Sequence, residues 1–205
     1  MTRISRIIIL VLVSASLLAV VFTGVAMFRK RNALPVLGEP GHTVGNFSFV
    51  NQDGKNISRA DVKDKITVVE YFFTTCPGIC KIMSRNLETV YGAYKNDSEV
   101  TILSHTVDPE TDSVPVLKAY ADLLAAGAPG WQFLTGDKAG LYNAARKDYL
   151  LAVEDNANTA VKDDFIHTQY VALVDQEQRI RGFYSATDSL DTKKLIEDIG
   201  KLKEE

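Results

Sequence analysis

Cys76 and Cys80 stand four residues apart and are the only cysteines in the chain. A disulfide scaffold uses more cysteines to close longer loops. This pair therefore reads as chemistry, either redox or metal, with two inert buried thiols as the plain alternative. At the start of a helix, an i, i+4 spacing brings both sulfurs to one side. Backbone N–H groups and the helix dipole favour a thiolate there. Two such thiolates can close into a disulfide or bind a soft metal. A C-x-x-x-C alone is a weak motif, and its weight depends on the elements around it.

Those elements are legible. Ile66–Phe73 (ITVVEYFF) is a near-continuous β-prone run, the pattern of a strand buried on both faces. A helix is expected from Ile79 to Tyr94, with Ile82, Met83, Leu87, Val90 and Tyr94 on one side. Upstream, Phe47-Ser48-Phe49-Val50 alternates and Asp53-Gly54 marks a turn, so 46–58 reads as a hairpin. Downstream come a strand over 99–107, a helix over 113–126 with Pro115 in its first turn, a strand over 131–134 and a short helix over 137–147. Residues 154–164 are polar and loop-like, 168–174 and 179–184 read as a second hairpin, and a last helix covers about 190–202 with Leu195, Ile196 and Ile199 inward. Right-handed crossovers make strands 66–73 and 99–107 parallel, so their C-terminal edges share one end of the sheet. Ligands bind at that end in open α/β folds, and the cysteines are there. The expected class is α/β, a thioredoxin-like fold with a mixed central sheet flanked by helices.

A thioredoxin-type oxidoreductase has two residues between its cysteines and a proline just ahead of the strand facing them. Here three residues separate the cysteines, and His167 stands ahead of Thr168–Val174. Two thiolates and one neutral imidazole, Cys76, Cys80 and His167, make a three-ligand set suited to copper; thiolate softness favours Cu(I), and Cu(II) stays open. Zinc would want a fourth strong ligand, and none is evident. His105 lies near the C-terminal edge of its strand and is a second candidate ligand, or a histidine hydrogen-bonded beneath the site. His42 falls in the linker and reads as a surface residue.

The chain begins with a different kind of segment. From Ile7 to Phe28 no residue is charged, and at about 1.5 Å per residue such a helix crosses a hydrocarbon core of roughly 30 Å. A cleaved signal peptide has a shorter apolar region, although Gly24-Val25-Ala26 has the small residues of a cleavage site. No cysteine precedes Cys76 to carry a lipid. The expected organisation is a tail over 1–6, a transmembrane anchor over 7–28, a Pro- and Gly-containing linker over 29–45 and a copper-binding domain over 46–205. Arg3 and Arg6 on one side nearly balance Arg29, Lys30 and Arg31 on the other, so charge bias does not set the orientation. The short tail and long C-terminal domain favour a single-pass protein of the cell (inner) membrane with its domain on the exported, periplasmic-type side. The net charge of -3 and the lack of a basic stripe argue against nucleic acid.

Four segments, in this order, resemble the Sco/SenC family: Phe73-Thr74-Thr75-Cys76-Pro77-Gly78-Ile79-Cys80, Thr106-Val107-Asp108-Pro109-Glu110-Thr111-Asp112, Trp131-Gln132-Phe133-Leu134-Thr135-Gly136, and Phe165-Ile166-His167-Thr168. The resemblance covers about 38–203. It implies a membrane-tethered thioredoxin fold with copper held at Cys76, Cys80 and His167. It also implies a role in assembling the binuclear copper centre of cytochrome c oxidase, by delivering copper to its copper-containing subunit, by reducing that subunit's cysteines, or by both. A thiol reductant protein is then a further expected partner, and Asp108 is either near the metal or part of a strand-end turn. Two positions depart from the family pattern: Lys81 replaces a common proline, and Ile166 replaces a common acidic residue. Both change the charge around the site without removing a ligand. The alternatives are a membrane-tethered thiol–disulfide oxidoreductase with no metal role and a peroxide-consuming thiol enzyme. The second lacks the expected threonine, since Phe73 stands three residues before Cys76, and lacks a nearby arginine other than Arg85 or Arg146.

Overall fold

The computed structural model describes residues 3–151 and 168–205. The loop expected over 154–164 and His167 lie outside the described residues. In chain order the elements are α1 (Arg3–Asn32), β1 (Ser48–Asn51), β2 (Asn56–Ser58), β3 (Ile66–Phe72), α2 (Ile79–Tyr94), β4 (Val100–Thr106), α3 (Val114–Leu123), β5 (Trp131–Thr135), α4 (Lys138–Asn143), β6 (Tyr170–Val174), β7 (Ile180–Ser185) and α5 (Ser189–Leu202). They build a seven-stranded sheet in the order β2-β1-β5-β4-β3-β6-β7. β3 pairs parallel with β4, and β4 with β5, while β6 runs antiparallel to β3. Crossover helices between parallel strands put α2 and α3 on one face.

β3 is buried along its whole length because both faces are covered. Ile66, Val68 and Phe72 point into a core with Met83 and Leu87 of α2, Leu117 of α3 and Leu195 and Ile199 of α5. Val69 and Tyr71 point the other way, into a core with Leu141 and Tyr142 of α4 and Val44 and Phe47 of the N-terminal segment. This is the period-2 alternation of a strand, and it explains why the sequence reads as an unbroken apolar run. In α2 the expected inward face is narrower than the pattern suggested. Met83, Leu87 and Val90 are buried, but Ile82 is 51% exposed. One helix stripe cannot place neighbours 82 and 83 equally deep.

His105 is the clearest departure from expectation. It is fully buried on the face opposite the cysteines, packed against Phe47, Phe49, Tyr71 and Tyr149 at centroid distances of 6.2, 5.5, 5.1 and 5.4 Å. Neither ring nitrogen has a hydrogen-bond partner. It is thus neither beside the sulfurs nor hydrogen-bonded beneath them.

Residues 34–45, which composition presents as linker, pack on the sheet edge. Leu37 bridges to Ile180, and the Val44 N–H donates to the Gln178 carbonyl at 2.9 Å. The buried Arg181 donates to the carbonyls of Pro35 and Leu34 at 3.0 and 2.6 Å, and pairs with Asp175 at 2.9 Å. His42 is likewise engaged, its Nε2 lying 2.9 Å from the Asp148 carbonyl. Upstream, α1 takes up the whole uncharged run in one helix. Among the described residues, however, no helix is long and apolar enough to cross a membrane. The transmembrane helix expected at 7–28 is therefore not displayed among them.

Burial holds His105 neutral by lowering its pKa to about 3. An unfolded histidine takes up its proton near pH 6.5, so the stability tied to neutral His105 is present above that pH and lost as pH falls toward 3. Between pH 7.5 and 4.5 the loss is roughly 2–3 kcal/mol. His105→Leu is expected to lose that much less over the same interval in urea unfolding. Parallel losses in both proteins would show that His105 does not carry the acid sensitivity.

Candidate metal and thiol site

The cysteine loop begins where β3 runs out. After Phe72 the chain turns, the Cys76 N–H donating to the Phe73 carbonyl at 3.3 Å, and α2 starts at Ile79. Its N-cap is Gly78, which offers no side-chain acceptor. The first N–H groups of a helix need partners, and here the Cys76 sulfur accepts from the N–H groups of Gly78 and Cys80. The Cys76 sulfur thus takes the place of a capping side chain.

Both thiols are reduced and buried, but they differ. Burial alone would push the Cys76 thiol up. The hydrogen bond from the Cys80 thiol, the two backbone N–H groups and the charge of Lys81 together outweigh that and hold it below its ordinary value. Cys80 is pushed up to about 12 by burial, by donating its proton to Cys76, and by the negative charges of Cys76 and Glu70. Cys76 is therefore the more acidic of the two thiols, and Cys80 the donor that favours its thiolate form.

The pair lines a pocket of about 290 Å³ whose walls include Tyr71, Phe72, Phe73, Pro77, Val107 and Thr168. Tyr71–Phe73 come from the end of β3, Val107 follows β4, and Thr168 precedes β6. Of the residues expected at the site, Cys76 and Cys80 are brought together and His105 is not. His167 lies outside the described residues, and the next residue in the chain, Thr168, reaches the pocket. Among the described residues no group of three or more His, Cys, Asp or Glu side chains forms a metal site. Ile79 and Ile82 leave an exposed apolar rim beside the cysteines.

Sequence reasoning missed the residue that ties this loop down. Asp112, in the turn after β4, is fully buried. One of its oxygens accepts the Thr74 hydroxyl; the other accepts the Thr74 N–H at 3.2 Å and the Thr106 hydroxyl at 2.5 Å. The Thr106 hydroxyl in turn accepts the Asp108 N–H at 2.9 Å. Asp108 itself serves the turn through its carbonyl, which receives the N–H groups of Thr111 and Asp112. The available signal was Thr74-Thr75 ahead of Cys76, a pair of hydroxyls that need acceptors when buried.

A model of the SCO1/SenC family matches residues 37–204. The chain belongs to that family. It is 28% identical over 160 residues to the SCO1 protein homolog of Bacillus subtilis (strain 168), covering 77% of this chain and 81% of that one. It superposes on BsSco, a member of the Sco family of cytochrome c oxidase assembly proteins in which a disulfide switch was identified. The TM-score is 0.67 and the identity 27%, over 82% of this chain and 96% of that one. A structure of Bradyrhizobium japonicum ScoI with copper bound aligns with a TM-score of 0.60 at 24% identity, over 79% of this chain and 98% of that one, a likeness of fold. The architecture is the thioredoxin-like Sco fold, a mixed sheet flanked by helices.

Two outcomes follow from this geometry. With limiting iodoacetamide at pH 7, peptide mass spectrometry is expected to find Cys76 labelled at least about tenfold faster than Cys80; equal labelling would contradict the assigned asymmetry. Asp112→Ala leaves two threonine hydroxyls and one N–H without their acceptor and is expected to cost on the order of 2–3 kcal/mol in denaturant unfolding. A cost below about 0.5 kcal/mol, the ordinary surface range, would mean that the tie is dispensable.

Proposed function

We propose that this chain is a copper-binding thiol protein that serves the assembly of the binuclear copper centre of cytochrome c oxidase, with copper as cargo held by Cys76, Cys80 and His167. The observation that carries the reading is the reduced, asymmetric cysteine pair lining one pocket with Thr168, in a chain of the SCO1/SenC family. Two sulfurs on one side of a helix start are soft donors that suit Cu(I). They leave room for a third ligand, and the chain supplies an imidazole directly before Thr168. Copper binds only when the disulfide is open and the ligands are deprotonated, so redox state gates loading. Transfer would proceed by exchange of ligands, thiolates of the partner's copper subunit replacing Cys76 and Cys80 in turn. His167 is released most easily at low pH, because protonation removes its lone pair.

A second reading, a thiol–disulfide oxidoreductase that reduces target cysteines, is favoured by one observation. A stabilised Cys76 thiolate beside a protonated Cys80 is the arrangement of an attacking and a resolving thiol. The two readings share the open dithiol. In both, residues 7–28 act as a membrane anchor, 29–45 join it to the domain 46–205, and the domain lies on the exported side of the cell membrane. Anchoring confines the domain to the plane of its target.

The test is an anaerobic Cu(I) titration of the reduced full-length chain in detergent against a competing chelator. One tight equivalent is expected, weakened at least about a hundredfold by Cys76→Ala, Cys80→Ala or His167→Ala and unaffected by His42→Ala. Affinity is also expected to fall between pH 7.5 and pH 5.5 as the imidazole takes up a proton. Binding indifferent to His167→Ala and to pH removes the imidazole from the site. No tight binding at all makes the oxidoreductase the better account.

A further inference from the structure

From the end of α3 to the start of β5, residues 123–130 carry no charge. Connecting loops are ordinarily polar. This one shows solvent Leu123, which is 79% exposed, together with Ala125, Ala128 and Pro129. Ala125 holds φ at +49°, in the left-handed region where glycine or asparagine is usual at a helix end. The chain thus keeps a methyl group on the surface at a position that favours a bare or polar residue.

Much of the loop's backbone is paired within the protein. The N–H groups of Leu124, Ala125 and Ala126 donate to the carbonyls of Tyr120, Asp122 and Ala121 at 3.3, 3.2 and 2.9 Å. Pro129 has no N–H to satisfy. The carbonyls of Gly127, Pro129 and Gly130 accept the Trp131 N–H, the Thr101 hydroxyl and the Ile102 N–H at 3.0, 2.7 and 3.0 Å. A surface segment with no charge and few open backbone groups loses little by leaving water. Its place in the fold shows what would replace the water. β3, β4 and β5 run parallel, so the loop ahead of Trp131 lies at the end of the sheet where β3 begins. The Arg181 contacts to Leu34 and Pro35, which fasten the chain coming from α1, lie at that same end. In the strand order β5 and β7 are four places apart, about 19 Å at the usual strand spacing. Charge at this end is mixed: Lys118 pairs with Asp53 and Asp122, and Lys203 with Asp97 and Glu99. The uncharged run 7–28 precedes the fastening point, so an apolar loop at the same end would meet lipid first.

We propose that residues 123–130 form a lipid-contacting loop that seats the domain on the bilayer beside its tether. This rests on the anchoring proposed above. Leu123, Ala128 and Pro129 enter the boundary between headgroups and acyl chains, burying apolar surface that water otherwise covers. The contact is apolar, so it needs neither anionic lipid nor low salt. Two points of attachment, the clamp at β7 and the loop ahead of β5, fix which way the sheet stands; with one alone the domain would swing on its tether. The cysteine pocket, at the other end of β3, then faces away from the lipid. It is held above the surface by about a strand length, roughly 23 Å for the seven residues of β3. A partner must present its acceptor groups at that height.

The experiment reconstitutes the full-length chain in phosphatidylcholine vesicles, with or without bromine on the acyl chains, and reads tryptophan fluorescence. Leu123→Trp places an indole on the loop. Leu190→Trp places one at the start of α5, where the side chain is 75% exposed and meets water about as fully. That position is at the reactive end, because β7 runs antiparallel to β6 and β6 to β3. The buried Trp131 of the unsubstituted chain gives the baseline. Brominated lipid is expected to quench the added fluorescence at 123 by about half or more and that at 190 by less than about a tenth. The difference is expected to persist from about 0.1 M to about 1 M salt. Ala128→Trp supplies a second reading on the loop if Leu123→Trp misfolds by circular dichroism. Protein that floats with the vesicles while the loop indole stays unquenched overturns the lipid contact and leaves the anchoring standing. Equal quenching at 123 and 190, or quenching at 123 that high salt removes, overturns the contact as well. An emission shift at 123 that follows protein concentration instead of lipid overturns it in favour of a second copy of the chain. Protein that does not float with the vesicles overturns the contact and the anchoring together.

Discussion

The parallel pairing of β3 with β4 sets the terms for everything at the reactive end of this molecule. Seven successive register pairs, from Ile66–Val100 to Phe72–Thr106, hold the two strands side by side and bury both along their full length. Parallel strands buried on both faces cannot turn back at a hairpin, so each must leave the sheet at the same end. The cysteine loop and the Asp112 turn therefore emerge as neighbours. The Asp112 carboxylate ties them together, and the N–H groups of Gly78 and Cys80 at the start of α2 donate to the Cys76 sulfur. The thiolate is stabilised by where a strand stops rather than by a dedicated cation, with Lys81 adding to a field that backbone groups already supply.

The same pairing produces two buried titratable groups with opposite fates. Glu70 and His105 lie on adjacent strands but on opposite faces, because their positions differ by one step of the strand alternation. Glu70 meets Ser104; His105 meets Tyr71 and three further aromatic rings. Burial drives both toward their neutral forms. The aromatic cage encloses the imidazole on the face away from the thiols, and it reads as a packing element whose cost appears only in acid.

What could be read from sequence was the part governed by local pattern. The unbroken run at 66–73, the start of α2 at Ile79 and the two hairpins follow from periodicity and turn residues, and the i, i+4 cysteines already implied a shared helix start. The parts not legible depend on partners distant in sequence. His105 looked like a site residue because it sits at the right end of its strand, and only the alternation across the sheet sends it to the other face, into rings contributed by Phe47, Phe49 and Tyr149. Asp112 could not be linked to Thr74 without knowing that β4 ends beside β3. Glu70 was hidden by the apolar residues around it, although one acid inside a doubly buried strand is itself a signal. Residues 34–45 have the prolines and glycines of a linker, yet a buried guanidinium at Arg181 needs acceptors, and the carbonyls of Leu34 and Pro35 provide them.

That last contact bears on the proposed anchoring. Because β6 is antiparallel to β3, with Thr67 paired to Val174, the Arg181 clamp lies at the end of the sheet where β3 begins. The cysteines lie where β3 ends. The chain leading from α1 is thus fastened at one end of the sheet, and the reactive pocket opens at the other. A tether attached beside the thiols would crowd any partner approaching them. Under the proposed anchoring, attachment at the opposite end would leave the exposed Ile79 and Ile82 rim open to a partner.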